Sequence, residues 1–150
     1  MSYLRNYLKA LIQIGNDLGT EVIATKIQKI FFLLQGEGGK NLGLKFEPWL
    51  FGPYSRELNN ALIDLVETGE VEELGKPIVD PFTGDVVGYK RSYVLKERRD
   101  LKEVEPEVKE FFKKWIVKSR KDILIYVYSN YPKYSDYSII KNRIQELING

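Results

Sequence analysis

The exposed face of one predicted helix carries side chains that could contact DNA. Residues 54–68 place apolar side chains at helical spacing, which leaves Arg56, Asn59 and Asn60 on the opposite face. Asparagine amides pair with adenine edges, and arginine pairs with guanine or with phosphate. These three residues therefore predict base contacts with double-stranded DNA. A plain solvated face is the alternative, because the same helix carries three acids that oppose a polyanion: Glu57, Asp64 and Glu67.

Basic residues that follow this helix could bind the phosphates. Lys90 and Arg91 lie in a long predicted strand, and Lys76 precedes it, so we expect these three to contact the DNA backbone. A denser basic cluster comes later in the chain, in Lys113, Lys114, Lys118, Arg120 and Lys121. Such a run is typical of a solvated helix C-terminus, where the helix dipole favours cations, and phosphate binding is the alternative there.

Tyrosines are concentrated near one proline, Pro132. Half of the ten tyrosines of the chain occur between residues 126 and 137. Tyrosine provides a large contact area at low entropic cost, so a protein-binding surface is one interpretation and packing within the domain is the other. The candidate partner contacts are Tyr128, Tyr131, Tyr134 and Tyr137. Exposed aromatic residues would also be compatible with a homodimer.

The absence of cysteine and histidine removes several kinds of chemistry. Thiol nucleophiles, imidazole bases, disulfides and zinc sites built from these ligands are all excluded. The Gly39-Lys40 step does not complete a phosphate-binding loop, because Leu34 stands where the first glycine is required and Asn41 stands where a hydroxyl is required. Asp80 and Asp85 suit a turn better than a catalytic carboxylate pair. We therefore expect no enzyme, no cofactor and no metal.

Composition and length indicate one globular domain, residues 1–150. Hydrophobic residues make up 43% of the chain and charged residues 29%, and the formal charge is only +2. No apolar run approaches the ~20 residues of a membrane helix, and the N-terminus lacks a signal-peptide pattern. We expect a cytoplasmic protein with no membrane contact. A single Met, few Gln and many Lys and Glu suggest a thermophilic source.

The elements that would position these side chains follow a helix-rich order. Helices are predicted over 3–14, over 21–35 with Thr20 as the N-cap, and over 54–68 after a Gly52-Pro53 turn. The second helix should bury Ile23, Ile27, Ile30, Phe31 and Leu34 and keep Lys26, Gln28 and Lys29 mostly outside this stripe. Phe46, Trp49, Phe51 and Tyr54 are predicted to be core residues, and a platform for stacking nucleobases is the alternative.

Extended segments and further helices complete the prediction. Short strands at 71–74 and 78–79, a turn at 80–85 and a strand over 86–96 suggest a hairpin. Three helices and a hairpin are the order of a winged helix-turn-helix, residues 1–96. Further helices are predicted from Pro106 to about Ser119, around 123–131 and around 140–148. This C-terminal helical extension, residues 97–150, should pack on the winged-helix part. The fold class is α+β and mainly helical.

Several segments resemble a known prokaryotic family. These are Lys29-Ile30-Phe31-Phe32-Leu33-Leu34-Gln35, Phe46-Glu47-Pro48-Trp49-Leu50-Phe51-Gly52-Pro53-Tyr54-Ser55 with Leu58, Leu65 and Gly69, and Tyr126-Val127-Tyr128-Ser129-Asn130-Tyr131-Pro132. They look like YwgA-type proteins, which are similar in turn to the SocA-like antitoxin domain, also called Panacea. The resemblance implies a winged-helix-related fold, no enzymatic activity and a protein-binding role in toxin neutralisation or proteolytic adaptation. Two functions therefore stay open: a DNA-binding regulator and an adaptor or antitoxin-like module.

Overall fold

A computed structural model describes residues 2–49 and 52–135 as a mainly helical α+β protein with two small antiparallel hairpins. The helices are α1 (Ser2–Asp17), α2 (Ala24–Gly36), α3 (Arg56–Glu67), α4 (Pro106–Ile116) and α5 (Arg120–Asn130), followed by a 3₁₀ turn at Pro132–Ser135. The strands are β1 (Glu47–Trp49), β2 (Gly52–Tyr54), β3 (Val71–Val79) and β4 (Val86–Leu95). The predicted helix around 140–148 lies outside the described residues.

Helix α2 forms the centre of the core. Every residue from Lys26 to Leu34 is buried, including Lys26, Gln28 and Lys29, which were expected outside the apolar stripe. These three are buried although they lie outside that stripe, because α4, α5 and β2 all pack against α2 and cover more than one face of it. A helix buried on several sides must satisfy its polar groups internally.

The start of α2 also differs from the prediction. The helix begins at Ala24 and not near Glu21, because Val22 and Ile23 are extended and pair with strand β4. The backbone N–H of Tyr93 donates to the carbonyl of Val22 at 3.0 Å. Thr20 is therefore not the N-cap of α2. Its hydroxyl donates to the carbonyl of Ile116 at the end of α4, at 3.3 Å.

Gly52 and Pro53 form a strand and not the first turn of a helix. Trp49 pairs with Gly52 across the β1–β2 hairpin. The third helix starts after Ser55, whose hydroxyl accepts from the N–H of Leu58 at 3.3 Å and so replaces proline as the N-terminal signal. The predicted apolar face of α3 is confirmed: Leu58, Leu62 and Leu65 are buried, and Ala61 and Val66 pack against the core half-buried.

Strands β3 and β4 form a long hairpin whose outer part is exposed. Its register runs from Val71 opposite Leu95 to Val79 opposite Val86, so one continuous strand replaces the two short ones expected over residues 71–79. Phe82 at the tip is 96% exposed. None of the described C-terminal helices covers this tip.

The helices α4 and α5 add their apolar faces to the core formed with α1 and α2. Phe112 and Ile116 are fully buried in it. Helix α4 ends at Ile116, earlier than predicted, because the Ser119 hydroxyl accepts from the N–H of Asp122 at 3.0 Å and caps the start of α5. Within the described residues, no helix has the length and apolar character needed to cross a bilayer.

Candidate functional site

An open groove lies between α2, the β1–β2 hairpin and the N-terminal half of α3. Its volume is about 750 Å³. Four of the predicted DNA contacts line it: Arg56, Asn59, Asn60 and Arg91. Arg91 reaches it from strand β4, so residues distant in sequence meet at one surface. The structure thus brings both the helical and one of the hairpin candidates together.

A pair of reciprocal hydrogen bonds fixes the two main walls of this groove. The side-chain amide of Gln28 on α2 donates to the carbonyl of Ser55 at 3.0 Å. The N–H of Ser55 donates back to the Gln28 carbonyl oxygen at 2.8 Å. Both residues are buried. Because Ser55 is the N-cap of α3, this contact sets where α3 begins relative to α2.

The charge lining the groove is mainly positive. Four of its side chains are basic and two are acidic: Lys29, Lys45, Arg56 and Arg91 against Glu47 and Glu57. Lys45 lies 3.5 Å from Glu47, which compensates that acid locally. Hydrogen bonds from the backbone at the start of α3 and from the Ser55 hydroxyl lower the pKa of Glu57, so it stays ionised. Asp64 and Glu67 do not line the groove.

Lys29 is the least expected member of this lining. It is 3% exposed, and its ammonium group makes no hydrogen bond or ion pair with another described residue. Burial, together with the nearby positive charge of Arg120, lowers the pKa of Lys29 to about 7. Its neighbour Lys26 is also buried, but it donates to the carbonyl of Ile116 at 3.1 Å.

An exposed aromatic pair forms one rim of the groove. Trp49 is 55% exposed, and its ring centroid lies 6.1 Å from that of Tyr54, with the ring planes tilted by 32°. The prediction of a core position for Trp49 is therefore wrong. Among the described strands, the three-residue β1 pairs with β2 alone, so none of them covers the Trp49 side chain. Phe46 is partly buried against the core, and Phe51 lies outside the described residues.

The two hairpin lysines are not part of the groove. Lys90 donates to Glu21 at 2.8 Å, and this ion pair lowers the pKa of Glu21. Lys76 is exposed and lies opposite Lys90 in the β3–β4 register. A phosphate would therefore have to compete with Glu21 for Lys90, whereas the side chain of Lys76 is exposed to solvent.

The tyrosines near Pro132 serve mainly in packing. Tyr128 is 5% exposed, so it has almost no surface to offer a partner. Tyr131 and Tyr134 pack edge-on against Phe32, with ring centroids 5.0 and 4.8 Å away. Tyr137 lies outside the described residues. The partner surface expected from the sequence is therefore largely internal where it is described.

Glu37 anchors the same tyrosine segment to the end of α2. Its carboxylate accepts hydrogen bonds from the hydroxyls of Tyr126 at 2.7 Å and Tyr131 at 2.6 Å. Burial and the bond to Glu37 raise the pKa of Tyr131 to about 12. These contacts tie the segment after α5 to the central helix.

The later basic cluster is divided among local contacts. Lys113 lies 3.3 Å from Glu110, and Lys114 and Lys118 lie over the ring of Trp115 at 5.4 and 5.6 Å from its centroid. Lys113 and Lys114 lie in the last turn of α4, as expected of a helix C-terminus, whereas Arg120 and Lys121 lie in the first turn of α5. Among the described residues, no group of three acidic side chains is arranged to hold a metal ion.

Sequence reasoning missed Lys29 and Gln28 as parts of the site, and it preferred a core position for Trp49 over a base-stacking surface. The signal that could have found Lys29 is its position between Gln28 and Ile30 in a helix with apolar residues on more than one face. Comparison with known proteins adds no candidate: no protein-family model matches the chain, and no curated protein matches it either.

Proposed function

We propose that this protein is a winged-helix DNA-binding regulator that uses the groove beside α3. The observation that carries the proposal is the convergence of Arg56, Asn59, Asn60 and Arg91 on that groove. Guanidinium and carboxamide groups are the side chains that read base edges and hold phosphates. In this proposal α3 supplies the base contacts and the β3–β4 hairpin is the wing.

The order and pairing of the elements support the winged-helix assignment. Three helices precede a long hairpin, and the extended segment at Val22 and Ile23 adds to the edge of that hairpin before α2 begins. One feature departs from a compact helix-turn-helix, in which the connection is only a few residues long. Residues 37–55 separate α2 from α3 and include the β1–β2 hairpin.

The distribution of acids on α3 also favours the proposal. Of the three acids that oppose DNA binding, only Glu57 lines the groove. Asp64 and Glu67 are exposed in the C-terminal half of the helix. A duplex approached by the N-terminal half of α3 would therefore meet Arg56 and Arg91 before it met those two carboxylates.

Selection from a pool of duplexes with randomised centres tests this function. We expect the protein to enrich a defined sequence, and the double variant Arg56→Gln/Arg91→Gln to lose that enrichment. The matched control is Lys96→Gln/Lys121→Gln, which removes two exposed charges away from the groove. Failure of the unmodified protein to retain any duplex at low salt would refute the proposal.

A second candidate function is the adaptor or antitoxin-like role implied by the resemblance to the antitoxin group. The observation that favours it is the apolar tip of the β3–β4 hairpin, where Phe82 is 96%, Val87 65% and Tyr89 70% exposed. Exposed apolar patches mark interaction surfaces. Under this alternative, Phe82→Ser/Tyr89→Ser should abolish recovery of a specific protein partner, and Arg56→Gln should not affect it.

A further inference from the structure

Within the described part of the chain, Lys29 has no counter-ion. The residue is 3% exposed, it lines the groove, and no described residue pairs with its ammonium group. The charge that acts on it is that of Arg120, which has the same sign. A largely buried ammonium without an ion-pair partner loses most of its hydration, so it is a costly feature for a fold to keep. An anion entering the groove would supply the missing charge.

The Lys29 side chain packs along the wall of the groove that strand β2 forms. Gly52 has no side chain, and a Cβ at that position would lie 3.2 Å from Cε of Lys29 and 3.0 Å from the Tyr128 ring. The lysine stem therefore runs closely past the β2 backbone. Gln28, the preceding residue, holds the start of α3 in place. The position of the amine is thus fixed by packing on both sides.

The same groove offers a stacking surface and amide groups. Trp49 is 55% exposed beside Tyr54, which leaves ring surface free at the rim. Aromatic rings stack on nucleobases, because every base has a π-face. Asn59 and Asn60 add donors and acceptors that can pair with the edge of a base. The volume of about 750 Å³ lies within the usual range for small-molecule sites.

We propose that the groove binds a free nucleoside phosphate, with its phosphate held by Lys29, Arg56 and Arg91 and its base stacked on Trp49. The combination of a buried unpaired amine, two guanidinium groups and an exposed indole matches the charged and aromatic halves of that ligand. This inference does not require duplex binding. A nucleotide in the groove would occupy Arg56 and Arg91, so it would also exclude DNA from them.

Calorimetric titration of the full chain with single nucleotides tests the inference. The probes are AMP, GMP, CMP and UMP, with inorganic phosphate, free nucleosides and a short single-stranded oligonucleotide for comparison. We expect at least one mononucleotide to bind more tightly than phosphate or its own nucleoside alone. Lys29→Met should weaken this binding about 10-fold or more, and Trp49→Ala should weaken it about 5-fold or more.

Lys26→Met is the matched control, because Lys26 is also buried on α2 but is hydrogen-bonded and does not line the groove. Thermal denaturation confirms that each variant is folded. Binding by the parent protein should take up a proton at pH 8, measured in buffers of different ionisation enthalpy, and Lys29→Met should abolish that uptake. Absence of mononucleotide binding at millimolar concentration, binding of the oligonucleotide alone, or unchanged affinity in Lys29→Met would overturn the inference. None of these results depends on whether duplex DNA binds.

Discussion

The side-chain amide of Gln28 and the backbone of Ser55 form two reciprocal hydrogen bonds, at 3.0 and 2.8 Å, that join α2 to the start of α3. Two further glutamines form such reciprocal hydrogen bonds with the backbone of another residue. Gln13 exchanges two bonds of 2.8 Å with the backbone of Arg99, and Gln35 exchanges bonds of 2.8 and 2.9 Å with Leu44. Each glutamine bonds to both the N–H and the carbonyl of one backbone residue, and buried backbone groups require such partners. The Ser55 carbonyl also accepts from the N–H of Asn59 at 3.2 Å, as the first helical bond of α3.

Gln28→Met should be strongly destabilising. The substitution keeps the length of the side chain but leaves the N–H of Ser55 buried without a partner. It also removes one of two bonds to the Ser55 carbonyl, which still accepts from the N–H of Asn59 at 3.2 Å. An unsatisfied buried group costs about 1–3 kcal/mol, so we expect a loss of about that size in the free energy of unfolding. Urea denaturation measures it. Gln35→Met, at a half-buried clamp of the same geometry, should cost less, and equal losses would contradict a role for burial.

Lys29→Met should stabilise the protein at neutral pH. Burial and Arg120 lower the pKa of Lys29 from 10.5 to about 7, so the folded state disfavours the charged amine. At about 1.4 kcal/mol per pKa unit, removing this penalty should raise the free energy of unfolding by an amount on the order of a few kcal/mol at pH 7. Lys121→Met, on the exposed side of α5, should change it by less than about 0.5 kcal/mol.

The pH dependence of this effect follows from the direction of the shift. Between pH 7 and 10.5 the unfolded chain holds the Lys29 proton and the folded chain does not, so this group makes stability rise with pH across that window. Lys29→Met should flatten that rise, as measured by urea denaturation at several pH values. An unchanged slope would contradict the low pKa. The titratable and charged groups around Lys29 are Arg120 and Tyr128 on α5 and, across the groove, Lys45, Glu47, Arg56, Glu57 and Arg91.

Gly52→Ala should disrupt the groove wall. Gly52 has a φ of +94°, and an added Cβ would lie 3.0 Å from the Tyr128 ring and 3.2 Å from Cε of Lys29. Backbone strain and crowding together predict a loss of about 2–3 kcal/mol, measured by thermal or urea unfolding. Gly75→Ala is the control, since a Cβ there meets no atom within 4 Å and φ is not positive. Similar losses for both variants would refute the explanation.

Glu70 should contribute stability that is lost in acid. Its carboxylate accepts from Arg5 at 2.6 Å, Lys9 at 3.1 Å, Arg99 at 3.3 Å and the Thr68 hydroxyl at 2.9 Å. The bond from Thr68, followed by Lys9, lowers the pKa of Glu70 below 4.5. This stabilisation is therefore complete above pH 4.5 and disappears as the pH falls through the lower folded value.

Glu70→Gln should lower the free energy of unfolding by about 1–2 kcal/mol at pH 7 and by much less near pH 2. Urea titrations at the two pH values measure the difference. Glu110→Gln is the control, because Glu110 makes a solvent-exposed pair with Lys113, and such pairs contribute little. If Glu70→Gln cost as much in acid as at neutral pH, the ionic network would not be the source of the stability.

The sequence predicted the helical α+β class, the buried face of α3 and the location of the long hairpin, because each depends on a local repeat of apolar residues. It did not predict the burial of Lys29 or the exposure of Trp49. Burial at those positions depends on what packs against them: α5 and the β1–β2 hairpin cover Lys29, whereas nothing in the described chain covers the Trp49 face. Side-chain type alone assigns a lysine outward and a tryptophan inward.

The groove could be predicted only in part, because some of its residues meet only through tertiary packing. Arg56, Asn59 and Asn60 share a helix face, so their proximity follows from helical spacing. Arg91 joins them only through the tertiary fold, and Lys90 beside it turns to Glu21. The Gln28 clamp links residues 27 positions apart, which no local pattern encodes.

The salt dependence of duplex affinity tests the proposed DNA-binding function most directly. Fluorescence anisotropy with one duplex between about 50 and 200 mM salt should give a linear fall of log affinity against log salt. If Arg56 and Arg91 each hold a phosphate, Arg56→Gln/Arg91→Gln should reduce the slope by about 1.8, and Lys96→Gln/Lys121→Gln should leave it unchanged. No duplex binding at 50 mM salt, or the same slope in the first variant as in the unmodified protein, would contradict the account.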